Sequence, residues 1–155
     1  PLAALIGWLV WQEGRSVLWL LAGMALLLLL TDAATAHLWR PLLARSRPYA
    51  FLENVHVYVD GLWQVTDRLY LASAATSYGL PSAHAANSFG LAIYLARFYR
   101  RLGLALVVIA LVIGFSRVYL GRHYPGDVLV GYLWGAASGL AVAWLTNRLK
   151  TRFRA

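Results

Sequence analysis

The chain has 155 residues, is 61% hydrophobic with a mean hydropathy of +0.61, and carries only 13% charged residues. A soluble domain of this size exposes far more charge, and the apolar residues fall in runs long enough for a bilayer, which asks for about 20 residues per helix. The net charge of +8 does not point to nucleic acid, because most basic residues sit at the ends of apolar segments, where orientation signals and headgroup contacts belong; the lack of cysteine excludes disulfides and thiolate metal sites.

The sequence therefore reads as an integral membrane protein, an all-α helical bundle forming one membrane-embedded domain over residues 1–155. Its first stretch, "PLAALIGWLVWQEG", is too short to span and reads as the end of a truncated helix. Opening on Pro1 inside an apolar run, the chain is expected to lack N-terminal residues, a cleaved signal peptide being the other reading. Glu13, Gly14 and Arg15 make a polar turn, and Ser16 to about Trp39 is a clear spanning helix. Residues 40 to 81 are too polar to span and are expected to lie over one membrane face, with short interfacial helices. A third helical segment runs from Ser82 to about Tyr99, a fourth from Leu102 to about Tyr119, and a fifth from about Pro125 to Leu149, before the basic tail "RLKTRFRA". About five spanning or partly spanning helices result, since lipid-exposed backbone must satisfy its own hydrogen bonds.

Alternation of the spans puts Arg15, Arg97, Arg100, Arg101, Arg148, Lys150, Arg152 and Arg154 on one side, eight of the fourteen basic residues. The positive-inside rule makes that side cytoplasmic. Arg40, Arg45, Arg47, Arg68, Arg117 and Arg122 collect on the other, in clusters that call for a separate explanation.

In the first cluster, "RPLLARSRP", Arg40 and Arg47 are seven residues apart, about two helical turns. They face the same way if the helix continues past Pro41, and otherwise read as arginines snorkelling to the headgroups. In the second, "GLPSAHAANSFG", Pro81–Ser82 is a helix start with Ser82 as N-cap. The free amides of Ala83 and His84 then offer an anion site beside an imidazole that can donate a proton; the plain alternative is a capped helix with an interfacial histidine. In the third, "SRVYLGRHYPGD", Ser116 and Arg117 close one helix while His123 and Asp127 flank the start of the next, with Pro125 in its first turn. Asp127 can accept a hydrogen bond from Nδ1–H of His123 and leave Nε2 free as a nucleophile, or the two residues pin a helix end as an ion pair. Jointly, three helix ends bring arginine forks, open amides, two histidines and a carboxylate to one face, as a phosphoryl-transfer site without a metal requires.

These residues resemble the type 2 phosphatidic acid phosphatase superfamily, whose motifs K-x6-RP, PSGH and SR-x5-H-x3-D are matched in order by "RPLLARSRP", "PSAH" and, in full, "SRVYLGRHYPGD". The resemblance extends from about Ser16 to Arg148. It implies that His123 attacks phosphorus to form a phosphohistidine, that Asp127 orients it, and that His84 protonates the leaving oxygen and later activates water. It also implies that Arg40, Arg47, Arg117, Ser82 and the Ala83 amide hold the phosphate oxygens, with no metal and no cofactor. Arg40 stands where the family has lysine, and Ala83 where it has glycine. The family's membrane members have about six spans.

The implied protein is a lipid phosphatase of the bacterial inner membrane, its site on the periplasmic face. Its substrate would be a polyprenyl pyrophosphate, phosphatidylglycerol phosphate, phosphatidic acid or lipid A phosphate. A lipid phosphotransferase, a relative of the soluble vanadium haloperoxidases and a non-catalytic binder of anionic lipid are the alternatives. Oligomeric state is not legible. Asp32 reads as structural, with His37 a guessed partner, and His56 as a solvated surface residue. Tyr49, Phe51, Tyr58, Trp63, Tyr70 and Tyr78 read as an interfacial belt, or as a rim that grips a headgroup.

Overall fold

Residue 7 and residues 17–73 and 77–152 are described, from a computed structural model. Three of the helices are long and apolar enough to cross a membrane: α1 (Val17–Leu43), α4 (Arg100–Tyr119) and α5 (Pro125–Arg152). Apart from Gly7, the first apolar stretch, the turn from Glu13 to Arg15 and the last residues of the tail lie outside the described residues. Leu18, Leu29, Val108, Val112 and Phe115 stand exposed on these helices, as side chains facing lipid do.

Helix α1 does not keep one pitch. Over Thr35–Trp39 it widens into a π turn, closed by Arg40 N–H donating to the Thr35 carbonyl. Pro41 supplies the cause, having no N–H to give and a ring that collides with the carbonyl four residues back. The helix stops at Ala44, which turns left-handed at φ 42°, so it does not run on to carry Arg40 and Arg47 together.

The crossing that follows holds a short helical turn at Pro48–Ala50, a hairpin of β1 (His56–Val59) and β2 (Leu62–Val65), and α2 (Arg68–Ser73). The hairpin was not foreseen. Its turn is Asp60–Gly61, both at positive φ (51° and 83°), the backbone of a two-residue turn whose twist matches the flanking strands. Buried Thr66 holds the crossing together: its hydroxyl donates to the Leu52 carbonyl (2.6 Å) and accepts from the Val55 amide (2.9 Å). Trp63 packs between Tyr58 and Tyr119, with ring centroids 5.4 and 5.7 Å apart, which braces the hairpin on the end of α4. A single antiparallel bridge, Ser46 to Tyr78, returns the chain to the start of α1's outlet.

Helix α3 (Ala83–Ala96) packs against α5, α4 and α1. With 14 residues it rises about 21 Å, short of the roughly 30 Å hydrocarbon core, so it reaches only part-way. Its seam with α5 is backbone against backbone. A methyl group added at Gly131 would lie 2.6 Å from the Ser82 carbonyl, one at Gly139 2.5 Å from the Gly90 carbonyl, and one at Gly135 would run into the Ala86 carbonyl. Helices in lipid gain little from hiding apolar surface, and such small-residue ridges let them associate through close packing. Further in, Tyr94 Oη donates to the Leu20 carbonyl (3.0 Å) and lies 3.3 Å from Thr146 Oγ1, tying α3 to α1 and α5 beside the core of Leu27, Leu95, Val142 and Ala143.

Candidate active site

The N-termini of α3 and α5 lie side by side at one end of the seam, joined by a hydrogen bond from the Ser82 amide to the Asp127 carbonyl (2.9 Å). There a cavity of about 330 Å³ opens. His84 and Ala83 line it from α3, Arg117 from the last turn of α4, Arg122 and His123 from the α4–α5 connection, and Asp32, Ala36, Arg40 and Arg47 from α1 and its outlet. Six of the eight residues expected from the sequence thus share one space, and the other two, Ser82 and Asp127, are fully buried behind it. A wider recess of about 420 Å³ at the far end of the seam, between Arg97, Phe98 and Trp144, is lined by no histidine.

His123 is 4% exposed, and its Nδ1 lies 3.5 Å from Asp127 Oδ2. That separation is an alignment rather than a formed hydrogen bond, as is common before a substrate tightens such contacts. Asp127 Oδ2 accepts a shorter bond from the Tyr124 amide (3.0 Å), and Oδ1 faces Arg45 Nη1 at 3.2 Å. Burial holds the His123 imidazole below its ordinary range, against the pull of Asp127 and with Arg47 and Arg40 acting in the same sense as burial. The imidazole is therefore neutral at pH 7, with a nitrogen lone pair available.

His84 projects from the first turn of α3 and is exposed toward the cavity. Its imidazole is also lowered, first by partial burial and then by Arg117, His123, Arg47 and Arg122. An anion among those arginines opposes their charge and so favours protonated His84. Ser82 occupies the N-cap position, but its hydroxyl makes no capping bond; Oγ is buried without a partner. The expected side-chain cap is therefore absent, and the amides of Ala83, His84 and Ala85 keep the open donors of a helix start.

The arginines are held unequally. Arg47 Nε donates to the Tyr78 carbonyl (3.2 Å), and Arg122 gives two bonds to the Tyr58 carbonyl (3.2 and 2.9 Å). Arg40 Nε is buried with no partner. Asp32, Ala36 and Arg40 reach one cavity wall because of the π turn. Eight residues on a regular helix leave a side chain about 80° out of line, and the widened turn takes up that angle. Asp32, read from the sequence as structural, thus faces the cavity, and among the described residues it has no ion-pair partner within 4 Å, His37 included. Arg45 and Arg122 also went unassigned by the motif pattern, although both lie inside its spacers. Among the described residues no three His, Cys, Asp or Glu side chains form a group able to hold a metal ion.

The family model described as "PAP2 superfamily" matches residues 16–151. The chain belongs to the PAP2 superfamily. Among similar PAP2 proteins is the lipid A 4'-phosphatase of Bacteroides thetaiotaomicron, 33% identical over 135 residues, which are 84% of this chain and 56% of the relative. The lipid A 1-phosphatase of Rhizobium etli is 27% identical over 77% of this chain and 47% of its own length. The undecaprenyl-diphosphatase BcrC of Bacillus subtilis is 38% identical over a shorter stretch, 36% of this chain and 28% of its own. The chain spans about half the length of the lipid A phosphatases it matches. No solved structure matches it.

Proposed function

We propose that this chain is the catalytic part of a membrane lipid phosphatase working through a phosphohistidine. The observation that carries the reading is the convergence of three separate motif clusters on one cavity, with His123 backed by buried Asp127 and facing a cavity shared with His84 and the arginines. Nε2 of His123 attacks phosphorus as the phosphorus–oxygen bond to the lipid breaks, and His84 gives its proton to the departing oxygen. Water then attacks the phosphohistidine, His84 takes a proton from it, the phosphorus–nitrogen bond breaks, and inorganic phosphate leaves with His123 neutral again. Arg40, Arg47 and Arg117, with the Ala83 amide and the Ser82 hydroxyl, hold the three equatorial oxygens as charge grows on them.

A lipid A phosphate is the favoured substrate, because the relatives named for that activity align along most of the chain, whereas the undecaprenyl-diphosphatase aligns along about a third. The positive-inside count supports a cavity at the outer face of the inner membrane. The test is phosphate release by the detergent-solubilised protein from lipid A, polyprenyl pyrophosphate and phosphatidic acid, with a chelator throughout and His123→Ala alongside. Release from lipid A that persists in the chelator and is lost in the variant supports the reading. Loss in the chelator, restored by one divalent ion, overturns its metal-free chemistry, and equal release by His123→Ala overturns the phosphohistidine.

A further inference from the structure

We infer that Arg45, which no motif position covers, is a positioning residue that holds the Asp127 carboxylate square to His123. The inference rests on the catalytic roles proposed above for those two residues.

Asp127 has no exposed surface, and a buried carboxylate needs partners for both oxygens. Oδ2 has the Tyr124 amide at 3.0 Å and His123 Nδ1 at 3.5 Å. Oδ1 faces the guanidinium of Arg45 at 3.2 Å, too poorly aligned for a full hydrogen bond, so the contact is an ion pair. The same guanidinium lies over the Tyr124 ring, 4.4 Å from its centroid. Tyr124 therefore grips the carboxylate with its backbone and Arg45 with its ring. From below, the Arg45 carbonyl accepts the Gly79 amide (2.9 Å). The chain at Gly79 passes so near the dyad that an added methyl group would lie 3.0 Å from Asp127 Oδ2 and 3.5 Å from His123 Nδ1. The left-handed turn at Ala44 is what brings Arg45 to this side, behind the dyad and away from the cavity walls.

The consequence is electrostatic as well as steric. Asp127 draws the His123 proton; Arg47, Arg40 and the neighbouring His84 face the imidazole from α1, its outlet and α3, with Arg117 and Arg122 across the cavity. Arg45 draws on the far oxygen of the carboxylate. Without it, Asp127 holds the imidazolium more firmly and His123 titrates higher.

The experiment follows the titration of His123 directly, by nitrogen-15 NMR of histidine-labelled protein in detergent, so that it reads the dyad whether or not lipid is hydrolysed. His123→Ala assigns the signal. In Arg45→Gln the midpoint is expected to rise by about 0.5–1 pH unit, the effect of one partly screened charge, while Arg45→Lys stays within about 0.3 unit of the parent. In turnover on a short-chain lipid phosphate, Arg45→Gln is expected to lower kcat about 10- to 100-fold with KM nearly unchanged, the loss usual when a supporting partner is removed. An unmoved midpoint in Arg45→Gln overturns the inference, as does a raised KM at constant kcat, which would put Arg45 on the substrate. If the midpoint moves and no lipid phosphate is hydrolysed, the dyad stands and the phosphatase reading falls.

Discussion

The seam between α3 and α5 and the crossing from residue 44 to 80 both deliver groups to the cavity, by opposite means. At the seam, backbone meets backbone along Gly131, Gly135 and Gly139, and the Ser82–Asp127 bond locks the start of α3, which carries His84, to the start of α5, which His123 precedes. The crossing hangs instead on an isolated bridge, one buried threonine and a hairpin of two four-residue strands, and it brings Arg45 and Arg47. The proposed proton transfer by His84, which tolerates displacements of about 0.5 Å, rests on a regular helix, and His123 sits two residues before the start of another. Arg45 and Arg47, whose electrostatic attraction falls off slowly with distance, come from irregular chain.

Breaking the seam's chemistry gives the largest effect. His84→Ala is expected to slow turnover about 100- to 10,000-fold on an alkyl phosphate, and far less on a nitrophenyl phosphate, whose leaving oxygen needs no proton; equal losses on both would deny His84 the acid's role. Breaking the seam's packing comes next. Gly135→Val is expected to cost about 1–3 kcal/mol by overpacking, seen as a lower melting temperature together with lost activity. Thr66→Val takes the side-chain partner from the Leu52 carbonyl and the Val55 amide, both partly buried, at about 1 kcal/mol, but the damage stays in the crossing. KM there is expected to rise about three- to tenfold with a smaller change in melting temperature, and the reverse pattern would erase the contrast between the regions.

The pH profile sharpens the comparison further. His123 is depressed and must be neutral to attack, so the acid limb of kcat/KM is expected to fall, about tenfold per unit, only well below pH 6.5. His84 is depressed in the free protein and raised by a bound anion, so the alkaline limb of kcat should lie above that of kcat/KM. Coincident limbs would mean that the anion does not touch His84. The smallest effect is expected from Asp32→Asn, which removes a negative charge from the cavity wall. Inhibition by orthovanadate should tighten about two- to fivefold; no change would place the anion away from α1.

What the sequence made legible were the features set by composition or by short spacing. The three long spans follow from apolar runs, and the shared cavity from three motif clusters that each sit at a helix end. The crossing was harder. "HVYVDGLWQV" carries a strong hairpin signal in Asp60–Gly61 between alternating β-formers, yet its aromatics also fit a membrane belt, and that reading hid the turn. The third segment was expected to reach Tyr99, but α3 ends at Ala96, before the turn at Arg97 and Phe98. The place of Arg45 was out of reach, since it depends on the reversal at Ala44 and on pairing with residues more than 30 positions away. The π turn that swings Asp32 and Arg40 into line has no pattern of its own beyond Pro41.

The hairpin's outer edge gives this arrangement a built-in clock. Tyr58 sends its amide out of the hairpin to the Leu120 carbonyl at 3.3 Å, while its own carbonyl receives Arg122. Both partners belong to the short loop that ends in His123. The deuterium uptake of that one amide therefore times how often the strand lifts away from the loop.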